Sequence, residues 1–173
     1  MTKLVVGMGI PGSGKTTTLK MFAEKNSYTY ICPDDIRLEI TGDMKDQSKN
    51  AEVWQTAYER LGQNLKQGSS VVFDATFTKP HDRKELLKFA RENGADHIQG
   101  VYVDVPYEIA MERNQQRDRV VPEHAMDRMR DSLKNTPPMI EDGFDALFTL
   151  DEFQKLVCAE RDLGENVEIK RFR

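Results

Sequence analysis

Short apolar runs alternate with longer amphipathic stretches along this chain. The runs that predict strands are bounded by turn residues and lie at 4–8, 28–32, 71–74, 97–103 and 144–150, with a weaker one at 167–171. Apolar residues recur at helical spacing over 13–25, 53–65 and 86–90. Trp54 and Tyr58 are part of the second of these stripes, and we expect both in the core. The alternation predicts an α/β fold in which helices cover both faces of a parallel sheet of about five strands.

Composition narrows the class of protein. The chain has 173 residues, of which 38% are hydrophobic and 31% charged, and this length is typical of one domain that buries about 70% of its unfolded surface. We therefore expect a single domain over 1–173. The net charge of −4 argues against a protein that coats long nucleic acids, but it permits a local pocket for one phosphorylated end.

Neither a membrane nor an oxidising compartment is indicated. No apolar run approaches the roughly 20 residues that span a bilayer. Cys32 and Cys158 lie far apart and lack metal-ligand spacing, so they indicate neither a disulfide framework nor a zinc site. The sequence predicts a cytoplasmic protein without a membrane partner, and no pattern in it indicates an oligomeric state.

The segment GIPGSGKT, residues 9–16, follows the first predicted strand and precedes the first predicted helix. It matches the phosphate-loop (P-loop) pattern GxxxxGK[ST], in which backbone N–H groups cradle the phosphates of a nucleotide at a helix N-terminus. We expect Lys15 to reach the β- and γ-phosphates and Thr16 to bind Mg²⁺, with ATP as the nucleotide. The predicted nucleotide-binding residues are Gly9, Pro11, Gly12, Ser13, Gly14, Lys15, Thr16 and Thr17.

The segment PDDIR follows the second predicted strand. Open α/β sheets place their sites at the carboxyl ends of strands, so Asp34 and Arg37 are candidates for an acceptor site. A carboxylate there can take the proton of an acceptor hydroxyl while an arginine holds a neighbouring phosphate. An equally good interpretation is a helix start, with Asp34 as the N-cap and Asp35 favouring the first turn through the helix dipole.

The third predicted strand, VVFDAT, closes on Asp74 and Thr76. An apolar run that ends in Asp is typical of the Walker B element, whose carboxylate orders the Mg²⁺ ligands or, in some kinases, the acceptor. We expect Asp74 and Thr76 to face the acceptor. Lys79 and Arg83 follow and are candidates for the same pocket, although such charges more often lie on a solvated helix surface.

The segment ERNQQRDRVVP, residues 112–122, carries three arginines. Arg113 and Arg117 are four residues apart and are predicted to share a helix face, and Arg119 lies just beyond. Arginines on a mobile lid, here about 113–125, can neutralise the charge that develops on a transferred phosphoryl group. The alternative is an ordinary surface helix whose arginines pair with Glu112, Asp118 and solvent.

Taken in order and spacing, the motifs GIPGSGKT, PDDIR, VVFDAT, DVP and ERNQQRDRVVP resemble the P-loop kinase domain of the 5′-polynucleotide kinase family. Similar patterns occur in other small P-loop kinases and in zeta-toxin-like proteins. The resemblance covers about residues 3–150. One departure is Pro33, at a position where those kinases often have a basic or small polar residue.

The resemblance implies roles for individual residues. Asp34 would be the general base, Arg37 would hold the phosphate of the acceptor, and Asp74 would lie near the acceptor. Arg113 and Arg117 would be the lid arginines, with Arg117 nearest the transferred phosphate.

The favoured function is therefore ATP- and Mg²⁺-dependent phosphorylation of the 5′-hydroxyl of RNA or DNA. Two alternatives stay open: a kinase for a nucleoside, sugar or other small metabolite, and an ATP-dependent switch or toxin-like module, which needs no base beside an acceptor pocket.

Overall fold

The computed structural model describes the backbone of residues 1–162 and the side chains of residues 1–159. The strands of this part are β1 (Lys3–Met8), β2 (Thr29–Ile31), β3 (Val71–Asp74), β4 (His97–Tyr102) and β5 (Ala146–Thr149). The helices are α1 (Lys15–Lys25), α2 (Pro33–Thr41), α3 (Asn50–Lys66), α4 (Pro80–Glu92), α5 (Tyr107–Gln115), α6 (Glu123–Asn135) and α7 (Leu150–Asp162), with a short 3₁₀ helix at Ile140–Asp142. The strand predicted at 167–171 lies outside the described residues.

The five strands form one parallel sheet in the order β2-β3-β1-β4-β5. The central strand β1 pairs with β3 on one side, where Leu4 is opposite Val71, and with β4 on the other, where Leu4 is opposite Ile98. Strands β2 and β3 thus lie on one side of β1, and β4 and β5 lie on the other. Such a sheet has a crevice at the carboxyl end of its central strand, and the segment GIPGSGKT begins there.

Both faces of the sheet are covered, as the predicted fold class requires. Side chains alternate across β1, so that Leu4, Val6 and Met8 pack with α3 and α4, whereas Val5 packs with α1 and α7. All four of these side chains are fully buried. Burial on both faces explains why β1 and β3 are continuous apolar runs rather than alternating ones. The prediction of an α/β fold of the P-loop kinase type is confirmed.

Several boundaries differ from the sequence prediction for local reasons. Helix α1 begins at Lys15 rather than at residue 13, because Gly12 and Gly14 have positive φ angles that a right-handed helix excludes. Strand β5 is shorter than the predicted 144–150, since Leu150 already begins α7. No helix within residues 1–162 is long and apolar enough to cross a membrane.

Candidate active site

The loop between β1 and α1 has the backbone that its glycines permit. Gly9, Gly12 and Gly14 have φ angles of 149°, 78° and 90°, a region that L side chains rarely adopt. A Cβ on Gly12 would lie 2.3 Å from the carbonyl oxygen of Ala110 in α5. Only glycine therefore lets α5 approach the loop this closely.

This loop fits the phosphates of a nucleotide. The hydroxyl of Ser13 is buried and makes no hydrogen bond within the described part of the chain, so a donor is left over inside the loop. The Lys15 side chain lies in the same cleft and is only 8% exposed. Arg113 covers the loop from α5 and donates from Nη1 to the Ser13 carbonyl oxygen at 3.4 Å. These groups form a positively charged cradle for an anion.

Asp74 lies at the end of β3 against this cradle. Its Oδ2 accepts hydrogen bonds from Thr16 Oγ1 at 2.7 Å and from the Tyr30 hydroxyl at 2.6 Å, and its Oδ1 is 3.9 Å from Lys15 Nζ. The carboxylate is 2% exposed. A hydroxyl and a carboxylate beside a phosphate cradle are the oxygen ligands that Mg²⁺ takes when it also binds substrate phosphates. The two residues thus fit the magnesium position.

Two titratable groups near Asp74 are held in their neutral forms. Burial, followed by the Asp74 carboxylate, raises the pKa of the Tyr30 hydroxyl far above its ordinary value. Burial, again with Asp74, raises the pKa of the Cys32 thiol to about 11. Tyr30 therefore remains a hydrogen-bond donor to Asp74 at neutral pH, and Cys32 remains an unreactive thiol.

The Asp34 carboxylate is surrounded by three guanidinium groups. Its Oδ1 accepts from Arg37 Nη1 at 2.6 Å and from Arg119 Nη1 at 2.5 Å, and its Oδ2 lies 3.4 Å from Arg117 Nη2. Arg37 comes from the same helix, one turn later, whereas Arg117 and Arg119 come from the segment between α5 and α6. The three arginines outnumber the carboxylate, so the pocket around Asp34 attracts anions.

Asp34 lines a pocket of about 280 Å³ that shares Lys15, Thr16 and Arg117 with the phosphate cradle. Its walls include Lys15, Thr16, Asp34, Arg37, Gln47, Asn50, Trp54, Asp74, Thr76, Arg117 and Arg119. Arg117 lies between its two ends, because it also lines the cradle itself. Trp54, expected in the core, packs against Phe73 but also forms part of this wall.

The segment 116–122, which we name the arginine loop, is fixed at its base by Asn114. This fully buried side chain donates from Nδ2 to the Val121 carbonyl oxygen at 2.8 Å and accepts from the Val121 N–H at 3.1 Å. Helix α5 ends at Gln115. The prediction that Arg113 and Arg117 share a helix face is therefore wrong, since Arg117 lies beyond the helix end. Both arginines nevertheless line the phosphate cradle.

Arg83, a candidate for the acceptor pocket, lies elsewhere. It is 1% exposed, and its Nε donates to Asp142 Oδ2 at 2.8 Å. Its two Nη atoms donate to backbone carbonyl oxygens, which belong to Phe77, Thr78, Thr136 and Pro137. The guanidinium joins the start of α4 to the segment after α6, so its role is structural.

The alternative interpretation of Asp34 as a helix cap is also wrong. The N-cap of α2 is Cys32, and Pro33 occupies its first turn, where a missing N–H costs nothing. Asp35 points to a different surface and is 3.6 Å from Lys20 Nζ. The two neighbouring acids thus have separate environments, and only Asp34 lines the pocket.

Sequence reasoning missed three contributors to this pocket. The sequence assigns no role to Gln47 or Asn50, and it places Arg119 only within the predicted lid. The Asn50 side chain accepts from Arg37 Nη2 at 2.7 Å. A single sequence carries no motif for Gln47 or Asn50, although the charge and position of Arg119, two residues after Arg117, gave a weak signal.

Comparisons with known proteins give the family and the fold. Residues 4–136 match the model of a family described as AAA domain. The chain is 25% identical over 154 residues to a protein of Acanthamoeba polyphaga mimivirus that carries the name bifunctional polynucleotide phosphatase/kinase. The match covers 86% of this chain but 33% of that protein, so the chain spans about a third of the length of this relative.

Solved structures with the same fold include kinases of different acceptors. A chain of the Pnkp1/Rnl/Hen1 RNA repair complex superposes with a TM-score of 0.68 and 22% identity, over 83% of this chain and 46% of that one. Shikimate kinase from Acinetobacter baumannii, solved in complex with shikimate, gives a TM-score of 0.60 and 17% identity over 96% of both chains. At these identities the likeness establishes the fold.

Proposed function

Since the chain belongs to the AAA domain family, we propose that it is a P-loop kinase that transfers the γ-phosphoryl group of ATP to the 5′-hydroxyl of RNA or DNA. One observation carries the proposal. The pocket that holds the Asp34 carboxylate shares Lys15, Thr16 and Arg117 with the phosphate cradle, so the two cavities adjoin. A carboxylate base beside an acceptor cavity is needed for transfer to a hydroxyl, whereas a nucleotide-dependent switch has no use for it.

In the proposed reaction Asp34 accepts the proton of the attacking hydroxyl. The hydroxyl oxygen forms a bond to the γ-phosphorus as the bond to the β,γ-bridging oxygen breaks, and ADP leaves with that electron pair. The products are ADP, a 5′-phosphate and a proton, which Asp34 passes to solvent. In-line transfer places the hydroxyl between Asp34 and the γ-phosphate, and the pocket that Asp34 lines also has Lys15 and Thr16 of the cradle in its wall.

The positive side chains of the cradle stabilise the charge on the transferred group. Lys15 contacts the β- and γ-phosphate oxygens, Arg113 approaches from α5, and Arg117 lies where the two ends of the pocket meet. Thr16 and Asp74 would hold Mg²⁺, which offsets the negative charge of the phosphates when bound. We propose that the arginine loop is the moving part of a lid over about 113–125.

A nucleic-acid end is the favoured acceptor because of the charge around Asp34. Three guanidinium groups exceed what one carboxylate needs, and a phosphodiester next to the reacting sugar would meet them. The similarity to the mimivirus protein and to the RNA repair chain supports the same class of acceptor. The two free cysteines, Cys32 and Cys158, support a reducing, cytoplasmic setting.

A small anionic metabolite is the second candidate, and the same arginines favour it. A carboxylate on a small alcohol would satisfy the cluster as a phosphate does. The likeness to shikimate kinase over 96% of both chains supports a domain of this size for such acceptors. The two candidates differ in the acceptor and share the chemistry at Asp34.

The test is transfer of γ-labelled phosphate from ATP to a short 5′-hydroxyl oligonucleotide, with shikimate, sugars and nucleosides offered in parallel. Lys15→Ala and Asp34→Ala should each abolish labelling. Asp35→Ala is the matched control, because Asp35 is the adjacent acid but pairs with Lys20 outside the pocket.

Label on the oligonucleotide that is lost only in the first two variants would establish the proposed function. Label on a small molecule alone would move the assignment to the metabolite kinase. Release of free phosphate without labelling of any acceptor would refute both kinase assignments.

A further inference from the structure

Gln47, in the loop between α2 and α3, lies between two of the arginines around Asp34. With its amide oriented so that the carbonyl oxygen faces them, this oxygen accepts from Arg37 Nε and from Arg119 Nη2, each at 3.3 Å. The opposite orientation would direct an NH₂ group at two guanidinium groups. A loop without a motif thus joins the acceptor helix to the arginine loop.

The two arginines that Gln47 bridges differ in freedom. Arg37 is 3% exposed and is held on three sides, by Asp34, by Asn50 and by Gln47. The Arg119 side chain is 27% exposed and contacts Asp34 and Gln47 only at the end of its guanidinium. Arg37 therefore acts as a fixed support, and Arg119 can turn toward a ligand in the pocket.

The contact between Arg119 and Asp34 also affects the proposed base. Oδ1 of Asp34 already accepts from two guanidinium groups at 2.5 and 2.6 Å, and Arg117 lies near Oδ2. Two arginine donors thus already occupy Oδ1, and an acceptor hydroxyl can donate to this oxygen only if one of them is displaced. An arginine must therefore move away before the hydroxyl can bond to Oδ1.

We propose that Arg119 binds the phosphate that flanks the acceptor hydroxyl, and that Gln47 positions Arg119 to do so. This inference rests on the proposed kinase function and deepens it. An incoming phosphate competes with Asp34 for the Arg119 guanidinium and forms the charge-assisted, two-pronged contact that arginine favours. Binding of the correct acceptor then frees Asp34 Oδ1 for the hydroxyl proton. An acceptor without the phosphate leaves Arg119 bonded to the Asp34 carboxylate.

The test compares thymidine 3′-monophosphate with thymidine as acceptors and measures kcat/KM for each at saturating ATP. We expect the wild-type protein to prefer the phosphate-bearing acceptor by roughly a hundredfold, in line with one strong charged contact. Arg119→Ala should reduce this preference to about unity, and Gln47→Ala should reduce it by about tenfold. The KM for ATP should not change in either variant.

Gln55→Ala is the matched control, since Gln55 is an exposed glutamine on α3 whose side chain bonds to Glu59. If Gln47 merely stabilised its loop, Gln47→Ala would lower the melting temperature and leave the acceptor preference at its wild-type value. If Arg119→Ala kept the wild-type preference for the phosphate-bearing acceptor, the role assigned to Arg119 would be wrong. The proposed kinase function would be unaffected.

Binding of thymidine 3′-monophosphate, measured by calorimetry without ATP, separates this inference from the proposed function. If no nucleic-acid acceptor is phosphorylated but the ligand still binds, and binding weakens about tenfold in both variants, the anion site stands and the acceptor assignment fails. If the wild-type protein does not bind the ligand, the Arg119 assignment is wrong.

Discussion

The two ends of the active-site pocket are built in different ways. The donor end, residues 9–17, is one continuous segment whose backbone N–H groups and glycine conformations form the cradle. The acceptor end consists of side chains from separate parts of the chain, namely α2, the loop that precedes α3, the end of β3 and the arginine loop. The donor end is therefore set by local backbone geometry, and the acceptor end is set by tertiary packing. This difference predicts how each end responds to substitution.

The largest effect should follow from removing Asp34, the base proposed for the acceptor end. Asp34→Asn keeps the shape of the side chain but removes its proton affinity, and general-base loss typically costs 10²- to 10⁴-fold. We expect kcat to fall by about 10³-fold or more, as measured by steady-state phosphoryl transfer. Binding of ATP, measured by calorimetry, should stay within about twofold, because the donor end is a separate segment.

Asp35→Asn serves as the control for this variant and should leave kcat unchanged. Loss of ATP binding in Asp34→Asn would show that the two ends are coupled and that the comparison is wrong.

A slightly smaller effect is expected at the donor end. Lys15→Ala removes one preorganised charge from the cradle, a change that typically costs about 10²- to 10³-fold in kcat. It should also weaken ATP binding, while binding of thymidine 3′-monophosphate in the absence of ATP should stay at its wild-type value. Lys66→Ala, at the exposed end of α3, is the control. Weaker binding of the acceptor ligand in Lys15→Ala would contradict the separation of the two ends.

The same difference explains what the sequence predicts. The donor end is predictable residue by residue, because GIPGSGKT places its groups within eight consecutive positions between a strand and a helix. Asp34 and Arg37 are predictable as a pair, since both follow a strand within one helical turn. The positions of the five strands follow from apolar runs between turn residues, and two of these strands, β1 and β3, are buried along nearly all of their length.

The rest of the acceptor end depends on contacts over long sequence separations. Gln47 and Arg119 meet where the arginine loop, fixed at its base by Asn114, reaches the loop that precedes α3. No local sequence pattern predicts the contact between these two side chains. Arg83 is the reverse case, a residue that the sequence suggests for the acceptor pocket but that lies outside it. Its guanidinium is buried and donates to backbone carbonyl oxygens and to Asp142.

Arg83→Met tests the comparison with a buried charged residue that lies at neither end of the pocket. Removing one partner of a buried ion pair typically costs about 3 to 5 kcal/mol, so the free energy of unfolding in urea should fall by about 3 kcal/mol. The kcat of the folded variant, measured well below its melting temperature, should stay within about twofold of the wild type. A loss of stability that is restored by saturating ATP, together with a large fall in kcat, would return Arg83 to the active site.

The smallest effect is expected where the two ends meet, at the Tyr30–Asp74 hydrogen bond. Tyr30→Phe removes the 2.6 Å bond to Asp74 Oδ2 but leaves the bond from Thr16 Oγ1 to the same oxygen. Asp74 becomes less constrained, so we expect kcat to fall by roughly tenfold, which corresponds to one hydrogen bond to a charged group. The Mg²⁺ concentration at half-maximal rate should rise by a similar factor. Tyr58→Phe is the control, because the Tyr58 ring packs against Phe73 and Phe89.

The pH dependence of this variant adds a second test of the same contact. Burial and the Asp74 carboxylate raise the pKa of Tyr30 far above its ordinary value, so its hydroxyl stays protonated and keeps donating as the pH rises. The ratio of wild-type to Tyr30→Phe rates should therefore be constant between about pH 7 and pH 9. A ratio that falls toward unity over this range would mean that the wild-type hydroxyl loses its proton. Asp74 would then be held by Thr16 and Lys15, so its position would depend on the donor segment.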